Sequence, residues 1–258
     1  MVSTYIYGEN LSDFEDQLQA TWDKKLGYQL VDVEYLNDEV WAGVFVGDSR
    51  GNAFDTEEDF AALQEQIQVR WDEGFDLADL DYIDDTWTAV FEKNFFTERG
   101  SSYSKSDSLT EFTEIAEEQW SKGFNLTNVE YADGSWVGIY RKDLTQTAYS
   151  TRDSLTGFKS AVTSRRREGF DLINVEYAED TWVGVFGKDP YSSTKYAIAE
   201  DTDEFLEKFE LRREQGYSLI DYEQANDDLL IGIYEKPNSG LSNIYELQDR
   251  LALVSALI

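Results

Sequence analysis

Five carboxylates recur at one offset in this chain. Glu34, Asp81, Glu130, Glu176 and Glu223 each stand seven residues after a glycine. Those glycines are Gly27, Gly74, Gly123, Gly169 and Gly216, with separations of 47, 49, 46 and 47 residues. Closely set carboxylates repel one another, and a divalent cation or a basic group relieves that repulsion. The chemistry on offer is therefore cation binding, with Ca2+ the candidate ion, or capture of a basic protein or peptide. The plainer reading is a solvated, salt-bridged repeat surface. Paired carboxylates also hydrolyse glycosidic bonds. An active site, however, breaks repeat symmetry with unique polar residues, and the pattern offers no obvious cluster of that kind. Asp84, Asp85, Asp133, Asp180 and Asp227 fall at turn positions, which favour Asp because its side chain bonds to local backbone. Neither the ligand order of an EF-hand loop nor a glycine-rich calcium-binding nonapeptide is present.

Composition narrows the chemistry further. The chain contains no Cys and no His. That excludes a disulfide framework, a Cys/His zinc site, a thiol nucleophile and a Ser-His-Asp triad. Against 53 Asp and Glu there are 22 Lys and Arg, a formal net charge of −31. Such a field repels phosphate backbones and anionic headgroups, so neither nucleic acid nor a membrane surface is an expected partner. At 41% hydrophobic and 15% aromatic residues, the chain carries enough apolar material to bury a sizeable core.

The elements that must position the carboxylates can be read from the repeats. GFDLADLDYIDDTWTAVF, GFNLTNVEYADGSWVGIY and GFDLINVEYAEDTWVGVF begin at Gly74, Gly123 and Gly169. Looser copies begin at Gly27 and Gly216. Upstream of each glycine lies a helical pattern, as in Leu109, Phe112, Ile115 and Trp120. Ser108 with Glu111, and Ser12 with Glu15, read as capping boxes. The glycine ends the helix, since the C′ position needs a positive φ. A short first strand precedes the helix, centred on Tyr5, Tyr103, Tyr149 or Tyr196, nine residues before Phe14, Phe112, Phe158 or Phe205. In the second copy Phe54 is only six residues before Phe60. Downstream, a tight turn at Asp133-Gly134 places Tyr131 opposite Trp136 and Val129 opposite Gly138, with Val129 filling the notch between Trp136 and Tyr140. WVGIY is apolar on both faces and predicts a central, doubly covered strand.

The expected fold is α+β, with five β-α-β-β units over 1–48, 49–96, 97–145, 146–190 and 191–238 in a single repeat domain. One helix per unit covers one sheet face, so each unit leans on its neighbours. No terminal copy reads as a polar cap, which favours a closed pseudo-fivefold, propeller-like ring over an open stacked array. Residues 239–258 read as an extra apolar helix (Ile244, Leu247, Leu251, Val254). The opening MVSTYIYGEN has neither the basic region nor the apolar core of a signal peptide. The expectation is a soluble chain, cytoplasmic or exported without an N-terminal signal, in the latter case through its C-terminal tail.

The unit resembles the uncharacterised tandem repeats at the C-terminus of plant casein-kinase-like proteins. It is also similar to bacterial tandem repeats that precede polyglycine-hydrolase-type domains. The residues that carry the likeness are Trp71 to Phe75, Trp120 to Phe124 and the hairpins quoted above. Arg166 and Arg213 depart from it where two other copies have Trp. The resemblance implies an accessory or recognition module and supplies no catalytic residues. The topology is similar in part to the five-fold α/β rings that modify guanidino groups, which use His and in many cases Cys. The sequence therefore reads as a non-catalytic binding or scaffold module, with a carbohydrate-binding module built on the repeated aromatics as the alternative. Those aromatics read first as core, and Trp22, outside the common spacing, reads least so.

Overall fold

The helix starts are fixed by one side chain in each unit. Asn10, Asp59, Ser108, Ser154 and Asp201 are extended N-cap residues whose side chains accept a backbone N–H from the first turn. The Ser108 cap is as expected, with Glu111 N–H donating to Ser108 Oγ (3.2 Å). The expected Ser12 cap is not made. Asn10 caps instead, accepting from Asp13 N–H (3.0 Å), and Ser12 is already helical. At the other end the anchoring glycines all have φ between +68° and +84°. In the third unit Gly123 N–H donates to Trp120 C=O and Phe124 N–H to Gln119 C=O, both at 3.0 Å, the paired bonds of a Schellman motif.

The computed structural model describes residues 3–24, 27–36, 40–47, 51–93, 100–142, 146–189, 192–225 and 229–237. The tail and Asp227 lie outside the described residues. The first unit comprises β1 (Ser3–Gly8), α1 (Leu11–Asp23), β2 (Tyr28–Leu36) and β3 (Val40–Gly47). The second comprises β4 (Asn52–Glu57), α2 (Phe60–Asp72), β5 (Phe75–Ile83) and β6 (Thr86–Lys93). The third has β7 (Ser101–Ser106), α3 (Leu109–Ser121), β8 (Asn125–Ala132) and β9 (Ser135–Arg141). The fourth has β10 (Gln146–Arg152), α4 (Leu155–Arg167), β11 (Asp171–Ala178) and β12 (Thr181–Lys188). The fifth has β13 (Ser192–Ala199), α5 (Thr202–Glu214), β14 (Ser218–Ala225) and β15 (Leu229–Pro237). No described helix is long and apolar enough to cross a membrane.

Each unit folds as a separate three-stranded antiparallel sheet with its third strand in the middle. The hairpin register is as expected: Tyr131 pairs with Trp136 and Val129 with Gly138. Asp133 and Gly134 have φ of 47° and 69°, the two left-handed residues of a type I′ turn. The notch at Gly138 is filled otherwise than expected. A Cβ there would meet the Tyr140 hydroxyl at 2.7 Å and the Phe112 ring at 2.8 Å, so these two rings crowd the notch more closely than Val129 does.

Alternation along the middle strand explains how both sheet faces are buried. Trp136 and Tyr140 pack under their own α3 with Phe112, while Val137 and Ile139 pack into the core of the second unit with Leu63 and Ile67. The same head-to-tail arrangement recurs in each unit. The fifth core joins Phe209, Tyr222 and Tyr234 of the last unit to Ala42 and Val44 of the first. Each apolar cluster is thus shared by two units, and no unit closes a core alone.

Two irregularities of spacing also resolve. Phe60 is the first residue of α2, and Leu63, fully buried, takes the place of Phe14 and Phe112. Phe54 therefore precedes the equivalent core residue by nine positions after all. Trp22, Trp71 and Trp120 are each the twelfth residue of their helix, and the first unit adds two residues between Trp22 and its glycine. Trp22 is half-buried and packs against the core cluster of the first unit, as Phe54 does.

Candidate functional site

The second strand of every unit breaks register once, between Leu30 and Asp32, Leu77 and Asp79, Leu126 and Asn128, Leu172 and Asn174, and Leu219 and Asp221. The extra residue bends the strand and re-aims the side chains beyond it. The sixth residue after each glycine (Val33, Leu80, Val129, Val175, Tyr222) enters the core of its own unit. The fifth and seventh therefore face away from it, toward the second strands of the adjacent units. β2 lies against β5, β5 against β8, β8 against β11, β11 against β14, and β14 against β2.

On that inner face the recurring carboxylates meet a second polar row that the sequence reading passed over: Asp32, Asp79, Asn128, Asn174 and Asp221. These side chains tie unit to unit. Val33 N–H donates to Asp79 Oδ2 (3.2 Å), Val129 N–H to Asn174 Oδ1 (3.1 Å) and Val175 N–H to Asp221 Oδ2 (3.1 Å). Tyr222 N–H, in the last unit, donates to Asp32 Oδ2 in the first (3.2 Å). The row is not symmetric. Asn128 donates its amide to Asp79 Oδ1 and Asn174 to Asp221 Oδ1, both at 2.8 Å. Burial raises the pKa of Asp32, and Asp79 and Asp221 beside it raise it further. The row recurs in every unit and differs between units only in Asp against Asn. The available signal was a polar residue at one offset in every copy, two residues before the recurring carboxylate.

The carboxylates predicted from sequence come together across units but are not a solvated face. Glu130, Glu176 and Glu223 are 5–6% exposed, and Glu34 and Asp81 are half-buried. Tyr177 N–H donates to Glu223 Oε1 (3.2 Å), and Glu130 and Tyr131 N–H lie near enough to Glu176 to offset part of the rise that burial imposes on its pKa. Burial raises the whole group, and neighbouring carboxylates add to the rise at all but Asp81 and Asp221. Asp81 is pushed up to about 6, Asp221 to about 7, and Asp79 and Glu176 to about 8. Asp32, Glu34, Glu130 and Glu223 are raised well above the ordinary carboxylate range. The charges that act on them are other carboxylates. Among the described residues no three acidic groups are spaced to hold a metal ion. The Asn128 Oδ1 atom is buried without a hydrogen-bond partner.

No protein-family model matches this chain, and no curated protein matches it. The functional reading therefore rests on the geometry.

The other repeated features have structural roles. Trp41, Trp87, Trp136 and Trp182 are buried core residues. Their cross-strand tyrosines lie with ring centroids 4.5–6.2 Å away. Lys93, Lys188 and Lys236 at the end of the last strand, and Lys142 just beyond it, lie over the aromatic residue next to the glycine of their unit, at 4.2–5.3 Å from the ring. Lys93 and Lys236 also donate to the C-cap carbonyls of Glu73 and Gln215.

Proposed function

We propose that the chain is a non-catalytic binding scaffold whose five units close into a pseudo-fivefold ring, with the inner carboxyl groups as its ligand site. The head-to-tail cores and the bond from Tyr222 to Asp32 support closure over an open array. The observation that carries the binding reading is the gathering of eight carboxyl groups on one inter-unit face, six of them buried and two half-buried, where the charges near them are other carboxylates. Such a site takes protons or a small cation. Calcium or magnesium would displace protons from it and relieve the same repulsion. Because no three carboxylates are spaced for a metal among the described residues, uptake requires side chains to turn. The expected affinity is that of a weak site, on the order of 10⁻⁴–10⁻³ M. A basic protein or peptide reaches these groups poorly, since three of the five are buried.

The test is calorimetry with calcium and with magnesium at pH 8, on the wild type and on a variant carrying Glu34→Gln, Asp81→Asn, Glu130→Gln, Glu176→Gln and Glu223→Gln. Saturable uptake by the wild type alone, with the variant folded by circular dichroism, supports the site. Equal uptake by the folded variant, or none by the wild type up to about 10 mM, sinks it.

A further inference from the structure

The five helices occupy equivalent positions but carry different charges. Along their 13 residues, α1 and α3 each have four acids and no base. In α4 the balance is reversed, with Lys159, Arg165, Arg166 and Arg167 and no acid. A favourable helix dipole accounts for cations in a last turn. It does not account for Lys159 in mid-helix, nor for the loss of every acid in a chain of net charge −31. The exposed surface of α4 runs through Lys159, Thr163, Arg166 and Arg167, at spacings that share one face. Arg166 reaches Asp171 (3.3 Å) yet keeps 49% of its side chain exposed. Lys159 and Arg167 have no acidic partner among the described residues. The exposed surface of α3 runs through Glu111, Glu114, Glu117 and Glu118.

α3 and α4 belong to consecutive units and border one shallow groove. Trp120 at the end of α3 and Arg165 of α4 line it, with Thr147, Tyr149, Ser150 and Arg152 between them. Trp120 stacks on Tyr149 with ring centroids 5.5 Å apart at 23°. An acidic helix, an aromatic groove and a basic helix thus lie side by side on one outer face.

From this juxtaposition we infer that the α3–α4 face is the contact surface for a second copy of this chain. A two-fold arrangement that sets α3 of one copy over α4 of the other makes the same complementary contact twice, as closed dimers require. The groove with its Trp120–Tyr149 stack lies between the two helices and offers aromatic surface to such a contact. Nucleic acid and anionic lipid fit less well, because the rest of the surface repels both. The inference does not depend on the inner carboxyl site.

Sedimentation equilibrium of the full chain tests it, in a charge-reversal design. The basic helix is reversed with Lys159→Glu and Arg167→Glu, and the acidic helix with Glu114→Lys and Glu117→Lys. Either double variant should dissociate at least tenfold more readily than wild type, and mixing the two should restore association. Circular dichroism confirms that each variant is folded. A monomeric wild type at several hundred micromolar overturns the inference, even if it binds poly-glutamate through α4. Reversals that leave association unchanged, or a mixture that fails to rescue it, overturn it equally.

Discussion

The inner strands and the outer helices both present charged residues at repeated positions, yet they obey opposite rules. On the inner face the residue seven after the glycine is acidic in every unit, and the groups there are largely buried. On the outer helices the charge swings from four acids in α3 to four bases in α4, and the groups are mostly exposed. Water screens the outer charges and leaves the fold indifferent to their sign. The interior sets a narrower demand, because each polar atom there must find a partner or a proton. Recurrence of one chemical type across copies is therefore a sign of a common interior. It is not a sign of a common surface.

The largest expected contrast between the two regions is in their response to pH. The inner carboxyls are raised in the folded state above their unfolded values, chiefly by burial. Groups raised in this way contribute stability that is fully present below the unfolded pKa, near 4, and is lost as pH rises through the folded pKa. The window runs from about 6 for Asp81 to about 8 for Asp79 and Glu176. With no His and no Cys, few other groups titrate there. The melting temperature should therefore fall between pH 5 and pH 9 by roughly 10 °C or more, at about 2–4 °C per kcal/mol for a chain of this size. In the Gln/Asn variant of the five carboxylates the fall should shrink markedly. A flat profile in the wild type would mean that the inner groups are solvated.

Asp32 sharpens the same contrast at a single residue. It accepts Tyr222 N–H and has two other carboxyl groups beside it. Asp32→Ala removes the acceptor for a buried N–H and should cost about 1–3 kcal/mol. Asp32→Asn keeps an acceptor and removes a repulsive acid, so it should stabilise the protein at pH 8. Denaturant unfolding at pH 8 checks both. Equal losses in the two variants would show that charge is immaterial at this position.

Much of the fold was legible in the sequence, because local chemistry dictates it. Gly123 marks a helix end since the chain there needs a positive φ, and Asp133-Gly134 marks a turn for the same reason. The Trp136 strand is central because both its faces are apolar. What sequence handled poorly was the relation between units. Asn10 outcompeted Ser12 as a cap, a choice set by which residue is extended and which already helical. Leu63 stands where the first and third units have Phe, so Phe60 is the only aromatic that marks the start of α2. The row from Asp32 to Asp221 went unread because its partners are backbone groups of the adjacent unit, which no local pattern displays.

The helix ends supply a smaller test, intermediate between interior and surface. Gly123 and Gly134 both have positive φ, and an added Cβ would meet nothing within 4 Å at either. Any difference between them must then come from backbone conformation. Gly123→Val places a β-branched residue where it is strained, and it also loosens the Schellman bonds that close α3. Gly134→Asn places a residue that tolerates the left-handed region in a type I′ turn. The first should cost about 1–2 kcal/mol and the second a few tenths. Thermal melts decide the order, and equal losses would count against the C′ role of Gly123.

The smallest effect is expected on the outer helices, and its smallness carries the comparison. Glu118 is exposed and pairs with Lys122 one turn on (2.8 Å), which lowers its pKa. The pair is solvated on both sides, so the Coulomb gain is spread into water and salt. Glu118→Gln should leave stability nearly unchanged, whereas the chemically identical change Glu176→Gln acts on a group buried near Glu130 and Tyr131 N–H. That inner change removes a titrating group and should raise stability at pH 8 relative to pH 5. The two substitutions delete the same charge from the same type of residue. If unfolding at both pH values shows them to be equivalent, the distinction between an interior and a surface carboxylate fails. If only Glu176→Gln alters the pH profile, position within the repeat, and not charge, decides what an acidic residue does in this protein.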